Sequence, residues 1–312
     1  MHIVPPSVDL RNPQNTDVSW LADHWEITCL RSNRGMASLS DLKQDLQLPG
    51  DPNPGEDAEH DIGLEGILDF ALDEINDRRN SCGQGRFQYP FDFSNGRQTR
   101  ITLRKPVRKS DYLYIFLLLA TRGNMNRDRV HAGHDATLLF EEICEYSLSA
   151  ILGSRKQVLR FGASKAGGAF PARIKELCLL LGDEVKPIPS PAYNQTAGDD
   201  GLDIAAWVSF SDKRRGKLII FAQCKTGDSW DTADMSRLRP AEFCRLWMTP
   251  QPLITPERAF MVAKRCRRDW WDKSVYGGIF FDRCRVVDFA NSIPSTLLSK
   301  VKNWVDSAIF RH

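Results

Sequence analysis

Three side chains whose types and spacing suit metal-assisted chemistry on a phosphodiester lie in the run from Gly198 to Gly227, GDDGLDIAAWVSFSDKRRGKLIIFAQCKTG. Two apolar segments, Leu202 to Phe210 and Lys217 to Cys224, flank the polar, basic turn Ser211-Asp212-Lys213-Arg214-Arg215-Gly216, the pattern of a β-hairpin. Antiparallel pairing of strands of similar length puts the start of the first beside the end of the second. Asp203 therefore meets Gln223 and Lys225 at one edge. Side chains alternate along a strand, so Gln223 and Lys225 share a face and Cys224 points away. A carboxylate and an amide oxygen are the hard ligands that Mg²⁺, or Mn²⁺ in its place, accepts while keeping several waters. Such an ion turns a bound water into a nucleophile, and lysine adds a compact positive charge for the phosphorus oxygens. The plainer alternative is that Asp203 and Lys225 only solvate the ends of a hairpin. Against it stands the run Leu218 to Ala222, apolar at successive positions as in a strand buried on both faces. A charged lysine set directly after such a strand marks a site rather than a rim.

The order Asp, strand, turn, strand, Gln-x-Lys resembles the signature of the PD-(D/E)xK nuclease superfamily. The wording GDDGLDI…QCK is most similar to its Mrr-like restriction endonuclease branch, where Gln replaces the usual second acid. The resemblance spans roughly Ala136 to Asp288, about half the chain. It implies that Asp203 is the metal-binding acid, Gln223 the second metal-site residue and Lys225 the catalytic lysine. The family also carries a Phe-Glu pair on the preceding helix, its acid aimed at the metal. Here that pair is Phe140-Glu141, with Glu142 and Glu145 as substitutes and at least one of the three a plain solvated acid. The fold implied is α/β: a restriction-endonuclease-like core with a mixed central sheet flanked by helices over residues 110–312, plus an N-terminal α+β elaboration over 1–109. The function implied is Mg²⁺-dependent hydrolysis of DNA in restriction or phage defence, in company with an ATPase, helicase or methyltransferase.

Composition agrees without deciding. The chain has 312 residues, enough for two domains or one elaborated one. The first 150 residues carry 16 Lys and Arg against 23 Asp and Glu, the remainder 26 against 17. The half holding Asp203 is thus the basic one, as contact with phosphates favours. Eight cysteines are scattered singly with no CxxC pair. This argues against a zinc ribbon or a compact disulfide framework, and several, such as Cys178 in Leu177 to Leu181, read as small core residues in a reducing cytosol. The start MHIVPPSVDL lacks a basic segment followed by an apolar core, and the longest apolar run, Tyr112 to Ala120, is too short to span a bilayer. The expectation is a soluble, cytoplasmic protein.

The elements needed to position these groups follow from pattern. Val18 to Leu30 reads as a short helix running into a strand, Ser38 to Asp41 as the cap of another helix, and Leu64 to Asn76 as an amphipathic helix. Pro49 to His60 is a polar loop, and Gln88–Phe93 and Thr99–Leu103 are strands of a small sheet. Ser110 and Asp111 cap an apolar helix over Tyr112 to Thr121, and Asp135 caps the helix that carries Glu141. The glycine-rich loop from Arg160 to Pro171 lacks P-loop spacing, and a helix over Ala172 to Leu181 follows it. Beyond the hairpin come a helix from Leu238 to Leu246, a strand from Arg258 to Val262, a strand from Gly278 continued through Arg285 to Val287, and a closing helix from Pro294 to Ala308. Exposed arginines that could hold phosphates are Arg214 and Arg215 in the turn and Arg265, Arg267 and Arg268 beside Trp270 and Trp271. Those tryptophans serve equally well as core. Two other functions compete: a nuclease-fold module that binds nucleic acid or a protein without cutting, and a hydrolase built on His131 and His134, which as two loop histidines with no third ligand read first as surface residues.

Overall fold

The computed structural model describes residues 1, 3, 17–46, 58–82, 89–94, 99–161, 169–182, 184–188, 201–212, 214–267 and 271–309. The N-terminal arm, the polar loop before residue 58 and the glycine-rich loop 162–168 lie wholly or mostly outside these residues.

The N-terminal part is built on local caps. Asp17 accepts the Trp20 N–H and starts α1 (Val18–Arg31), which is helical to its end and does not run into a strand. A helix start leaves N–H groups that a short acid satisfies. β1 (Met36–Ser38) leads into α2 (Leu39–Asp45), where Ser38 and Asp41 form a reciprocal capping box. α3 (Ala58–Ser81) is longer than its clearest amphipathic stretch. β2 (Phe91–Ser94) and β3 (Arg100–Leu103) pair antiparallel, and β1 completes a sheet of order β1-β3-β2. α4 (Lys109–Arg122) opens with Asp111 accepting the Arg108 N–H at 2.7 Å and is buried nearly all round. Among the described residues no helix is long and apolar enough to cross a membrane. The short ladder of β4 (Val130–His131) and β5 (His134–Asp135) turns the chain into α5 (Ala136–Leu152), capped by Asp135 as expected.

The second part continues with β6 (Lys156–Arg160), α6 (Ala169–Leu181), β7 (Lys186–Pro187), β8 (Ile204–Val208), β9 (Ile219–Lys225), α7 (Thr232–Arg237), α8 (Pro240–Trp247), β10 (Met248–Thr249), β11 (Glu257–Val262), β12 (Ile279–Phe281), α9 (Arg283–Val287) and α10 (Ser295–Ile309). The fold is α/β. Its five-stranded sheet has the order β12-β11-β9-β8-β6, antiparallel from β6 to β9 and parallel from β9 to β12, so it is mixed. The segment after β12 is helix α9 and not a continued strand, because Asp282 accepts the Arg285 N–H and caps a new helix. Alternation along β8 and β9 divides the core. Ile204, Ala206, Ile220 and Ala222 pack with α1, α4, α5 and α10, whereas Ala205, Trp207, Ile219 and Phe221 pack with α6 and α8. The hairpin is thus buried on both faces over Ile204–Trp207 and Ile219–Ala222; Leu218 and Phe210, read as part of the same apolar runs, lie outside the paired strands and are exposed.

No break in packing falls at residue 109/110. Leu21, Trp25, Ile67, Ile75, Phe91 and Ile101 share one core with Ile204 and Ala222 of the large sheet. At its centre Asp23 of α1 is fully buried. Its carboxylate meets Arg78 Nη1 at 2.7 Å, Arg122 Nε at 2.6 Å and Arg283 Nη1 at 2.8 Å. Glu26, one turn on, accepts the hydroxyls of Tyr89 and Tyr114 and lies 3.0 Å from Arg78 Nη1. Burial acts to raise both acids. Arg283, Arg78 and Arg122 outweigh it at Asp23 and hold that carboxyl far below the usual range, whereas Glu26, with Asp23 beside it, is pushed up. Cys82 and Cys284 form a disulfide with Cα atoms 4.8 Å apart, joining the ends of α3 and α9 across 202 residues. This single long-range link is not expected from cysteines scattered singly and read as core residues of a reducing compartment. That reading holds for Cys29, Cys144, Cys178, Cys244 and Cys266, which are buried and free.

Removing one partner from a buried ion cluster leaves charge uncompensated and costs about 3–5 kcal/mol. Asp23→Asn keeps the shape and leaves three guanidiniums facing a neutral amide. Urea unfolding should show a loss of about that size; a loss below about 1 kcal/mol would mean that the cluster contributes little.

Candidate active site

Ile204 pairs with Ala222 in the last rung of the ladder, and Asp203 follows just outside it, at the Gln223 end of β9. Asp203 makes the last bonds of that ladder. Its N–H donates to the Ala222 carbonyl at 3.0 Å, its carbonyl accepts the Phe161 N–H at 2.7 Å, and its side-chain Oδ2 accepts the Cys224 N–H at 2.7 Å. The carboxylate takes over a role that a strand carbonyl otherwise fills, which fixes it at the end of β9. Gln223 is 2% exposed, and its Oε1 has no hydrogen-bond partner among the described residues. A buried amide oxygen left in that state costs about 1–3 kcal/mol. Lys225, two residues on and 30% exposed at its side chain, places Nζ 3.2 Å from Asp234 Oδ1 of α7. Sequence reasoning missed Asp234. The signal for it was the capping box of Asp231 and Asp234, which starts α7 immediately after β9. Beside it opens a pocket of 620 Å³ between α7 and α8, lined among others by Asp234, Arg237, Arg239, Glu242 and Phe243.

The three acids of α5 separate by environment. Glu141 is 3% exposed. Glu142 lies 3.5 Å from Lys300 and 3.9 Å from Arg160, and Glu145 lies 3.7 Å from Arg160, so both serve the outer side of the helix. Glu141 faces the sheet near Cys144 and Cys224; burial pushes both thiols up, and the charges of Glu141 and Asp203 add to it. Glu141 thus lies on the Cys224 side of β9, while Gln223 and Lys225 project from the other side. Asp203, at the strand end, is the member common to both.

This set fits a hard divalent cation in kind: two carboxylates and an amide oxygen that has no other partner. Among the described residues no group of three or more His, Cys, Asp or Glu could hold a metal ion. A cation here accordingly relies on Gln223 and on waters to complete its shell, which is the habit of Mg²⁺.

Other sequence expectations divide. Arg265 is no surface arginine: it is 5% exposed, with Asp282 and Asp77 oxygens each 2.6 Å from its guanidinium. Its nearest acids in space lie far off in sequence, which no local pattern reveals. Arg267 is exposed, and Arg268 and Trp270 lie outside the described residues. Trp271 is partly buried against Phe280, with Arg285 4.0 Å above its ring. Arg214 and Arg215 are exposed in the hairpin turn. The seven residues of β9 put them roughly 20 Å from Asp203. His131 is a core residue edge-on to Trp304, not a surface one.

The fold and the hairpin end define an α/β protein with a mixed five-stranded sheet that gathers acid, amide and lysine at one strand end. No family model, no curated protein and no solved structure matches the chain.

The burial of Glu141 against the surface pairing of its neighbours gives a test. Mn²⁺ titration calorimetry should show about tenfold weaker binding for Glu141→Gln and less than twofold change for Glu142→Gln or Glu145→Gln. The opposite pattern would move the third acid of the site.

Proposed function

We propose that the protein is a Mg²⁺-dependent nuclease of the PD-(D/E)xK class, close to its Mrr-like branch, that hydrolyses phosphodiester bonds in DNA. Residues 110–312 are read as the restriction-endonuclease-like core, with 1–109 fused to it as a recognition or scaffolding part. The observation that carries the reading is the buried Oε1 of Gln223, without a hydrogen-bond partner among the described residues, at the strand end where Asp203 accepts the Cys224 N–H and two residues before Lys225. Asp203, Gln223 and Glu141 would hold the ion, which when bound supplies a polarised water and charge for the phosphorus oxygens. Asp203 is kept in place for this by the Cys224 N–H. Lys225 stands at the rim, where a phosphate oxygen can compete with Asp234 for its ammonium; an ion pair this exposed is worth at most about 1 kcal/mol and yields readily. Arg214, Arg215 and Arg267 are the exposed cations that serve a DNA backbone. A place in restriction or phage defence, with an ATPase, helicase or methyltransferase partner, follows from the resemblance alone.

A second reading, a module that binds nucleic acid or a protein without cutting, is favoured by the engagement of Lys225 with Asp234. Plasmid cleavage separates the two. The chain with Mg²⁺ should nick or linearise plasmid, and Asp203→Ala and Lys225→Ala should each lose about a hundredfold or more in rate while keeping salt-sensitive DNA binding. Cleavage by those variants would sink the assignment. Binding without cleavage by the unmodified chain would establish the second reading.

A further inference from the structure

Gly201 has no role in the site as described, yet its surroundings set it apart. Its φ of +81° lies in the left-handed region, which a residue with a Cβ adopts only under strain. Other glycines share such an angle; Gly133, at φ +75°, has nothing within 4 Å of where a Cβ would sit. At Gly201 a Cβ would stand 3.2 Å from Gln223 Nε2, 3.3 Å from Cδ and 3.5 Å from Oε1. The first two are tighter than ordinary van der Waals contact, and all three fall on one amide. That amide is nearly fully buried and its oxygen is unpartnered, so it cannot give way into solvent.

We propose that Gly201 is the positioning residue for the Gln223 amide. Its bare Cα is the surface on which the amide plane rests, and its left-handed backbone turns the chain toward Asp203 two residues later. One glycine thereby sets the relation between the Gln223 amide and Asp203 at the hairpin end. The inference rests on reading Gln223 as a cation ligand. It adds that the position of the ligand oxygen is dictated by backbone with no side chain, so that a single methyl group at 201 moves Oε1 off its seat and weakens the cation without unfolding the protein.

Mn²⁺ binding by the full chain, read by electron paramagnetic resonance of the free ion, tests this alongside urea unfolding. Gly133→Ala imposes the same kind of backbone strain with open space and serves as the control. Gly201→Ala and Gln223→Ala should each weaken Mn²⁺ binding about tenfold or more, with Gly133→Ala within twofold. In the Gln223→Asn background, where the amide is one methylene shorter, adding Gly201→Ala should cost nothing further, since the methyl then has room. Should Gly201→Ala fail to fold, recovery of folding by Gln223→Asn supports the contact and failure to recover overturns it. If Gly201→Ala binds Mn²⁺ as Gly133→Ala does while Gln223→Ala binds weakly, the positioning role is wrong and the ligand reading stands. If Gln223→Ala binds as well as the unmodified chain, or the unmodified chain binds no Mn²⁺, the ligand reading falls and takes the inference with it.

Discussion

One carboxylate, Asp23, holds three guanidiniums in the interior, and the placement of the hairpin end depends on it. Arg122, held through Nε, reaches with Nη1 to Asp228 at 2.8 Å, three residues past Lys225. The same end of α4 accepts the Gly227 N–H at the Ala120 carbonyl, 3.0 Å away. Arg283 donates from Nε to the Ala263 carbonyl at 3.1 Å, and the Ala263 N–H donates in turn to the Lys225 carbonyl at 3.2 Å. The chain leaving β9 is thus fastened from two sides by arginines that share one acid on α1. This is the physical sense in which the N-terminal part belongs to the site: it supplies no candidate ligand but fixes the strand that does.

Such a cluster carries a cost as well as a benefit. Desolvating several charges is expensive, and mutual attraction offsets it only where the remaining donors and acceptors are also satisfied. Here Arg78 donates its second Nη to the Ser19 carbonyl and Arg283 spends its Nε on Ala263, whereas Arg122 Nη2 has no hydrogen-bond partner among the described residues. Asp23 receives bonds on both oxygens. Replacing the whole set with apolar side chains could give equal stability, but it would remove the directional bonds that seat the backbone beyond Lys225. Of the three arginines only Arg283 comes from the basic half; Arg78 and Arg122 belong to the acidic half that supplies Asp23 itself.

Much of the frame was legible in the sequence because it rests on local rules. The hairpin followed from two apolar runs around a polar turn, and the helix starts at Ser38 and Asp135 followed from side chains that bond within three residues. Glu141 could be picked from three acids only through its Phe140 neighbour; its burial, and the surface pairing of Glu142 and Glu145, required knowing where Lys300 and Arg160 lie. What stayed hidden is long-range. The Cys82–Cys284 link spans 202 residues, Arg265 meets Asp77 from 188 residues away, and the partner of Lys225 sits on a helix whose docking no periodicity predicts. The helix α9 was misread as strand because its apolar pair, Val286 and Val287, carries β propensity that the cap at Asp282 overrides.

The central claim is that the end of the β8–β9 hairpin is a cation site in which an amide takes the place of an acid. Anomalous scattering from a crystal soaked in Mn²⁺ tests it most directly. The account predicts a single strong peak about 2.1 Å from an Asp203 carboxylate oxygen and from Gln223 Oε1, with waters filling the open positions. A peak elsewhere in the molecule, or at Asp203 with Gln223 still out of contact, would contradict it.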